Sequence, residues 1–453
     1  MTHSPTRVLA IDLGATSIRV VSVDVSAPSP APEVIHRWPH GPVRHHDGSL
    51  RWDWDRICAE VEHGLTAALE AGPVASIGAD GWAVDYGLLD HRGRLLSPPY
   101  SYRDDRTNDW RAMAERIGVE RLYGTTGVQL MAINTIFQVG AHDPEELGRA
   151  ARLLLLPDLL VRRLTGFDGA ERSNASTTAL LDARTGAWSA DLLAAVGLDP
   201  ELLPPIVSAG EVVGSWRGVP VHAVGSHDTA SAFIAVPGIP GPGTAVISSG
   251  TWVLVGAERP GADTSVAARA ANFSNEAGAL GGVRFLKNVM GFWLLEQCRA
   301  AWGDPPIDEL VTAAAEVARS TRVVDATDER FLAPSDMEAE IRTAAGLGAA
   351  ASRADVVRCI LESIAAGAAR VIEELSAITG TPVDEILVVG GGARIGLMNE
   401  LFGRHSGLPV IGGSSEATAL GNAVVQGIAL GRFENLDDAR QWLAVGAGRV
   451  GVR

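Results

Sequence analysis

Cysteine is scarce. The three residues, Cys58, Cys298 and Cys359, are far apart, odd in number and free of C-x-x-C spacing, which argues against a disulfide framework and against a cysteine zinc site. A reducing compartment, the cytoplasm, is the expected setting. Long apolar runs are missing as well: nothing approaches the 18 residues of a membrane span, and LLLLPDLL is interrupted too early and reads as core. The opening MTHSPTR leads straight into a strand pattern without the apolar stretch of a secretory signal. Positive charge is short: 38 Lys and Arg face 54 Asp and Glu, a net charge of −16. That balance argues against non-specific binding to nucleic acid or to an anionic membrane. A phosphate-bearing ligand must then be held locally, by backbone amides, hydroxyls, scattered Lys or Arg and a divalent cation. Solenoid-type repeats are absent. So are the G-x-G-x-x-G and P-loop spacings, which disfavours Rossmann-type dinucleotide binding and Walker chemistry.

What is present is an ordinary globular balance, 46% hydrophobic and 20% charged, in a chain of 453 residues. Its length predicts two domains. The 51 glycines are about 11% of the residues, against a usual level near 7%, and cluster beside strands. The organising stretch is Val221–Gly256. It begins with an apolar strand that ends in His227, Asp228 and Thr229, where open α/β sheets place ligands. PGIPGPG, 237–243, suits neither helix nor central strand and reads as a joint. TAVISSGTWVLVG then reads as two strands about a Ser-Ser-Gly-Thr turn whose amides and hydroxyls suit a phosphate.

The start of the chain has the same form. VLAIDLGATSIRVVSVDV is strand, turn, strand, with Asp12 at a strand end and Gly14, Thr16 and Ser17 in the turn. A carboxylate there can hold hydrated Mg²⁺ while the turn meets phosphate oxygens, although a plain hairpin favours the same residues. The echo between this segment and TAVISSGTWVLVGA points to two related lobes with a cleft between them.

His36, His40, His45 and His46 lack metal spacing and read, with their neighbouring tryptophans, as a polar surface loop. From Trp54 to Ala71 the pattern is helical; ASIGADGWAVDYGLLDHRGRLL is strand, loop, strand. In that loop Asp80, Trp82 and Asp85 suit a sugar, the indole against its apolar face and the carboxylates on its hydroxyls; a buried Trp with solvated acids fits equally. Asp104 and Arg106 form a candidate loop ion pair. Trp110–Leu203 reads as mostly helical, broken at Gly124, Gly127, Gly166 and Gly197, and ERSNASTTALLD is polar and small enough to line a cleft. Lys287 and Asn288 precede an apolar helix, where Asn288 is either a ligand contact or an N-terminal cap. Ile307–Ile378 is helical again. Gly390-Gly391-Gly392 sits between a strand and a helix and lets a ligand approach the backbone.

DLGATS, GSHDTASA, SSGTW and VVGGGARIGLMNEL, in this order, resemble the FGGY carbohydrate kinases, a family of the actin, sugar-kinase and heat-shock-chaperone fold. GWAVDYGLLD, YRDDRTN, INTIFQV, RLTG, SNASTT and FLKNVMGFWLL are similar to the rhamnulokinases within it. The resemblance runs nearly end to end. It implies an α/β protein with two lobes, each a mixed sheet flanked by helices, and a cleft between them. Residues 1–236 would form the N-terminal domain carrying the sugar site and base, 237–243 the hinge, and 244–453 the C-terminal, nucleotide-binding domain. It implies ATP and Mg²⁺, with phosphorylation of the C1 hydroxyl of L-rhamnulose.

Residue by residue, the resemblance makes Asp228 the catalytic base, flanked at the sugar by His227 and Thr229, with Trp82, Ala83 and Asn288 as further substrate contacts. It places Asp12 near the metal and Ala15, Thr16, Ser17, Ile18 and Arg19 in the first phosphate segment. Thr251 falls at the second phosphate loop, with Glu296 and Gly391 on the nucleotide side. Three positions depart from the family pattern: Ile18 and Ala83 stand where glycines are usual, and Glu296 where a glutamine is expected. The first and third bear on nucleotide contact, Ala83 on sugar identity, since one methyl can reshape a hydroxyl pocket. The partners implied are a ketose and Mg·ATP, with no nucleic acid and no membrane; a homodimer is the assembly considered. The competing readings are a sister kinase for L-fuculose, xylulose or another ketose, and a non-catalytic ATP-binding protein of the same fold.

Overall fold

A computed structural model describes residues 5–317 and 322–446. Of the sequence expectations, the first four residues of the opening segment and positions 318–321 of the helical stretch Ile307–Ile378 lie outside those described. The chain divides into two compact units. The first comprises residues up to Ile239 together with Glu258–Phe285 and Ala417–Gly446; the second comprises Pro240–Ala257 and Leu286–Glu416. The chain first changes unit inside the Pro/Gly stretch 237–243. The division is not linear, because two segments beyond that stretch fold with the first unit.

The first unit is built on a six-stranded sheet. Its strands are β1 (Arg7–Leu13), β2 (Ser17–Asp24), β3 (Glu33–Pro39), β4 (Ser76–Gly81), β5 (Val212–Trp216) and β6 (Val219–His222), in the order β5-β6-β4-β1-β2-β3. β1 pairs antiparallel with β2 and parallel with β4, so Asp12 lies opposite Arg19 on one side and Asp80 on the other. Residues 8–13 of β1 are all buried, as a strand covered on both faces requires. The helix α1 (Trp54–Glu70) is capped by the Asp53 carboxylate, which accepts from the Arg56 amide. It lies close enough that a Cβ on Gly64 would come within 2.7 Å of Val20.

Two further helices brace the sheet. The seven-residue α2 (Asp228–Ile234) follows β6 after a short loop, and the helix Ala417–Ala429 packs against it and against β1 and β4. The latter carries Asn422 and Gln426 on one face: Gln426 Nε2 donates to the Leu9 carbonyl at 3.0 Å and to Asn422 Oδ1 at 2.7 Å. Gly78 of β4 leaves the room this requires, since a Cβ there would meet Asn422 at 2.6 Å.

Between Trp110 and Leu203 the expected helices form, with two differences. LLLLPDLL splits into the end of a strand, Arg152–Leu155, and a helix, Leu156–Thr165, because Pro157 needs no amide partner in a first turn. The strand pairs antiparallel with Tyr86–Leu89. Gly124 lies inside the helix Val119–Thr126 rather than ending it; Gly127, at φ 62°, is the stop.

The second unit repeats the opening pattern. β7 (Thr244–Ser249) pairs antiparallel with β8 (Trp252–Arg259) and parallel with β10 (Glu385–Val389), as β1 does with β2 and β4; β9 (Val283–Met290) lies earlier in the chain. β11 (Val410–Gly412) pairs parallel with β10. The helices α3 (Trp293–Ala301), α4 (Arg353–Thr379) and α5 (Gly396–Ser406) belong here, α4 opening on a capping box between Ser352 and Asp355. The expected echo between the two halves is thus an echo of strand order. No described helix is long and apolar enough to cross a membrane.

The closest helix approach makes a test. A Cβ on Gly421 would fall 1.7 Å from the Ser231 carbonyl oxygen of α2, a backbone atom that cannot step aside. Gly421→Ala should destabilise the protein by about 3 kcal/mol, read as a lower midpoint of urea unfolding. An unchanged midpoint would mean that the two helices are not packed as described.

Candidate active site

The parallel strands of the first unit end together, and their ends carry the acids. Gly81 donates its amide to the Ser226 carbonyl at 2.9 Å and Trp82 to Leu13 at 3.0 Å. A bridge between Gly81 and His227 continues the register beyond β4. Asp12, Asp80 and Asp228 are thereby gathered at the carboxyl ends of strands, where an open sheet places its ligands. Asp12 is 1% exposed and pairs with Arg19, its cross-strand neighbour. Asp80 is fully buried; Oδ2 accepts from Asn422 Nδ2 at 2.6 Å while Oδ1 is buried without a partner. Burial and then the charges of Asp12 and Asp228 hold Asp80 well above the usual carboxylate range, against the pull of Asn422 and Arg19.

Asp228 opens α2 with its side chain 30% exposed. Oδ1 accepts from the Thr229 hydroxyl at 3.0 Å and faces His227 Nε2 at 3.5 Å; Oδ2 takes neither contact. Its pKa is raised, first by burial, with Asp12 adding to it and His227 opposing it. Behind His227 stand Glu276, with Oε2 at 3.3 Å from Nδ1, and Arg284, with Nη2 at 3.1 Å from the same nitrogen.

On the other side of His227 lies a second buried polar group. Glu171 Oε2 accepts from the amides of Ser173 and Ser226, at 3.0 and 2.9 Å, and from both hydroxyls. Its Oε1 and both side-chain polar atoms of Asn174 are buried without partners. The segment SNASTT, read as polar lining without a role, thus reaches the site through Ser173, whose hydroxyl accepts from the His227 amide at 3.3 Å.

The loop after β4 behaves differently from the sugar reading of Asp80, Trp82 and Asp85. The Asp85 carboxylate is spent inside the protein, accepting from Trp52 Nε1 at 2.7 Å, Trp82 Nε1 at 3.0 Å and Gln138 Nε2 at 3.1 Å. Trp82 is only 5% exposed, covered by Trp52 at 4.4 Å between ring centres and by His40 at 5.6 Å. Val84 beside it adopts φ 70°, a strained value for a β-branched residue. Its carbonyl is pinned there by Thr135 Oγ1 at 2.8 Å and Gln138 Nε2 at 3.2 Å. The surface-loop reading of His40 and its neighbouring tryptophans is therefore corrected. His40 Nε2 contacts the Gly14 carbonyl at 2.7 Å and its amide donates to Thr16, tying the first turn to the aromatic cluster. Sequence alone gives no signal for this, because the partners are far apart in the chain.

In that first turn, Ala15 and Ser17 are half-buried and Thr16 is exposed. Ile18 is fully buried, paired across the sheet with Leu13 on one side and Trp38 on the other, which leaves it no surface for a ligand in this structure.

In the second unit, β7 and β8 close through Gly250 and Thr251, whose carbonyls accept from the amides of Phe292 and Trp293 at the start of α3. Gly390, at φ 86°, would put a Cβ 2.9 Å from the Ser249 carbonyl, and Gly392 would put one 2.1 Å from Ser249 Oγ. The triplet is thus pressed onto the end of β7, while a Cβ on Gly391 would meet nothing within 4 Å. Glu296 is bound by Arg299, Nη2 to Oε2 at 2.7 Å, which cancels the charge that distinguishes it from the expected glutamine. Asn288 lies in the strand β9, not at a helix start, so the capping alternative falls. Among the described residues no three or more His, Cys, Asp or Glu side chains are grouped to hold a metal ion.

Residues 7–232 match the model for the N-terminal domain of the FGGY family of carbohydrate kinases, and residues 245–430 match that for its C-terminal domain. The chain belongs to that family. Among its FGGY relatives, a rhamnulokinase of Klebsiella pneumoniae is 38% identical, the match covering 96% of this chain and 91% of that protein. One of Bacteroides thetaiotaomicron is 37% identical, covering 96% and 93%. The fold is that of a xylulose kinase from Lactobacillus acidophilus, at TM-score 0.78 and 16% identity over 96% of this chain and 92% of that one. It is also that of a Plasmodium falciparum glycerol kinase solved with ADP, at TM-score 0.74 and 16% identity over 97% and 92%.

For this FGGY chain the buried acid of the aromatic cluster gives a pH test. Asp85 is raised from 3.8 to about 6, by burial against the pull of the Trp52, Trp82 and Gln138 side chains and the Tyr102 backbone. A carboxylate with a raised folded pKa contributes stability that is complete below 3.8 and lost as pH rises through about 6. Urea unfolding at a series of pH values should therefore show wild type losing up to about 3 kcal/mol across that window relative to Asp85→Asn. Parallel curves for the two proteins would remove the assignment.

Proposed function

We propose that the chain transfers the γ-phosphoryl group of ATP to the C1 hydroxyl of L-rhamnulose, giving L-rhamnulose 1-phosphate and ADP. The observation that carries this reading is Asp228: a carboxylate at the strand ends, with one oxygen taken by Thr229 and facing His227 and the other free of both. The free oxygen accepts the proton of the sugar hydroxyl as that hydroxyl's oxygen bonds to the γ-phosphorus and the bond from phosphorus to the β,γ-bridging oxygen breaks. The raised pKa suits this task, since a base nearer neutrality takes the proton more completely. Glu171 Oε1 and Asn174, buried without partners, suit the hydroxyls of a ketose, which would supply what these atoms lack. The choice of sugar follows the 37–38% identical relatives named rhamnulokinase.

The nucleotide's phosphates are assigned to the two hairpin turns, 14–17 and 250–251, and its adenosine to the open backbone at Gly391. Asp12 and Asp80 fit Mg²⁺. Both are hard oxygen donors, one with an unpartnered buried atom, and this ion is commonly held by one or two carboxylates plus substrate phosphates. When bound it would neutralise charge developing on the phosphoryl oxygens. A reducing cytoplasm is the expected compartment.

A sister ketose such as L-fuculose or xylulose is the second reading, favoured by the methyl of Ala83 beside the strained Val84. ADP release coupled to NADH oxidation over a panel of ketoses separates the readings. L-Rhamnulose should give the highest kcat/KM; no sugar-stimulated release with any member would leave only a non-catalytic ATP-binding role.

Asp228→Asn should bind sugar and ATP nearly normally but lose about 10³-fold or more in kcat. In the wild type, kcat should fall on the acid side at a pH above 3.8, the ordinary aspartate value. Near-normal turnover in the variant would withdraw the base. Gly392→Ala, which forces a methyl into Ser249, should raise KM for ATP about tenfold while leaving sugar affinity alone; equal effects on both substrates would place the triplet elsewhere than the nucleotide site.

A further inference from the structure

We propose that Arg284 and Glu276 are a positioning pair that fixes the tautomer of His227 and so selects which oxygen of Asp228 is free to act. The proposal deepens the phosphoryl-transfer reading and rests on it for its kinetic consequence, though not for its structural one.

Arg284 Nη2 and His227 Nδ1 are 3.1 Å apart. A guanidinium has donors only, so Nδ1 must accept, and a neutral ring then carries its single hydrogen on Nε2. Nε2 is the nitrogen that faces Asp228 Oδ1, at 3.5 Å. With the Thr229 hydroxyl on the same oxygen at 3.0 Å, two donors are aimed at Oδ1 and neither at Oδ2. The carboxylate is thereby sorted into a held oxygen and a reactive one.

Glu276 has a different task. Its Oε2 lies 3.1 Å from Arg284 Nη2 and 3.3 Å from His227 Nδ1, yet is without a hydrogen-bond partner. It supplies the negative charge that lets a guanidinium only 1% exposed remain in the interior. Arg284 is further anchored by Nε on the Ala277 carbonyl at 3.2 Å. Other charges acting on this guanidinium come from Glu171, Asp228 and Glu258.

The arrangement sets a donor and an acceptor of opposite consequence at one nitrogen. While Arg284 donates to Nδ1, the ring hydrogen points to the base. Without Arg284, Glu276 is the group left at Nδ1 among the described residues, and it can only accept. The hydrogen would then move to Nδ1, and Nε2 would turn a lone pair on Asp228.

Imidazole ¹⁵N spectra of histidine-labelled full-length protein, with His227 assigned by its loss in His227→Gln, read the tautomer directly. Wild type should carry the hydrogen on Nε2; a hydrogen on Nδ1 overturns the proposal whatever the variants do. Arg284→Met should move it to Nδ1 and lower kcat about 10- to 100-fold, with KM for sugar and ATP changed about twofold or less. The double variant Arg284→Met, Glu276→Gln removes the uncompensated charge and places an amide that can donate to Nδ1. It should return the hydrogen to Nε2 and recover about tenfold of the lost kcat. A folded double variant no faster than the single one, or an Arg284→Met protein that slows without a change of tautomer, overturns the proposal. If Arg284→Met does not fold, the wild-type spectrum and the double variant decide. Should no ketose be phosphorylated at all, the tautomer measurements still stand or fall alone.

Discussion

Like charges confined in a dry place govern the first unit. Asp12, Asp80 and Asp228 cannot all remain ionised among buried neighbours without help, and each receives help of a different kind. Asp12 has the guanidinium of Arg19 across the hairpin. Asp80 has a neutral amide, Asn422, brought by a helix more than three hundred residues away in the chain. Asp228 has a hydroxyl, an imidazole and partial exposure to solvent. The three solutions differ in kind: an ion pair for Asp12, a neutral amide for Asp80, and for Asp228 a hydroxyl and an imidazole at a partly exposed position.

The same demand explains where backbone is pressed against backbone. Asn422 reaches Asp80 only because Gly78 has no side chain, and its helix comes against α2 only because Gly421 has none facing Ser231. Substituting either glycine would therefore disturb the acids as well as the packing. In the second unit Gly390 and Gly392 do comparable work against Ser249, bringing the backbone after β10 onto the end of β7. Both units thus combine a hairpin with glycine-dependent close contacts, in the first where the helix Ala417–Ala429 meets β4 and α2, in the second at the end of β7.

Much of this is legible in the sequence because it is local. The two hairpins, their turn residues, the helix α1 and the acid at the start of α2 are written in runs of fewer than twenty residues, and periodicity or turn chemistry reveals them. What is illegible is pairing across distance. Glu276 and Arg284 look like ordinary polar residues after the joint, Asn422 like one polar residue in a small-residue helix, and His40 like part of a surface loop. Each gains its role from a partner at least 26 positions away. Asp85 misleads in the opposite sense: beside a tryptophan it looks like a sugar ligand, yet three internal donors claim it. A single sequence records which residues are polar but not which are already spoken for.

The cross-strand contact between Asp12 and Arg19 has an electrical consequence. Arg19 already neutralises Asp12, so on the proposed assignment of Mg²⁺ to this carboxylate the dication would meet an occupied partner, and its binding would be an exchange of counter-ions rather than the filling of a bare charge. The displaced guanidinium would remain on β2, the strand that follows the turn to which the phosphates are assigned. Affinity for the metal alone would then be set by the difference between two counter-ions, and would rise when a polyphosphate gave the displaced arginine something new to hold.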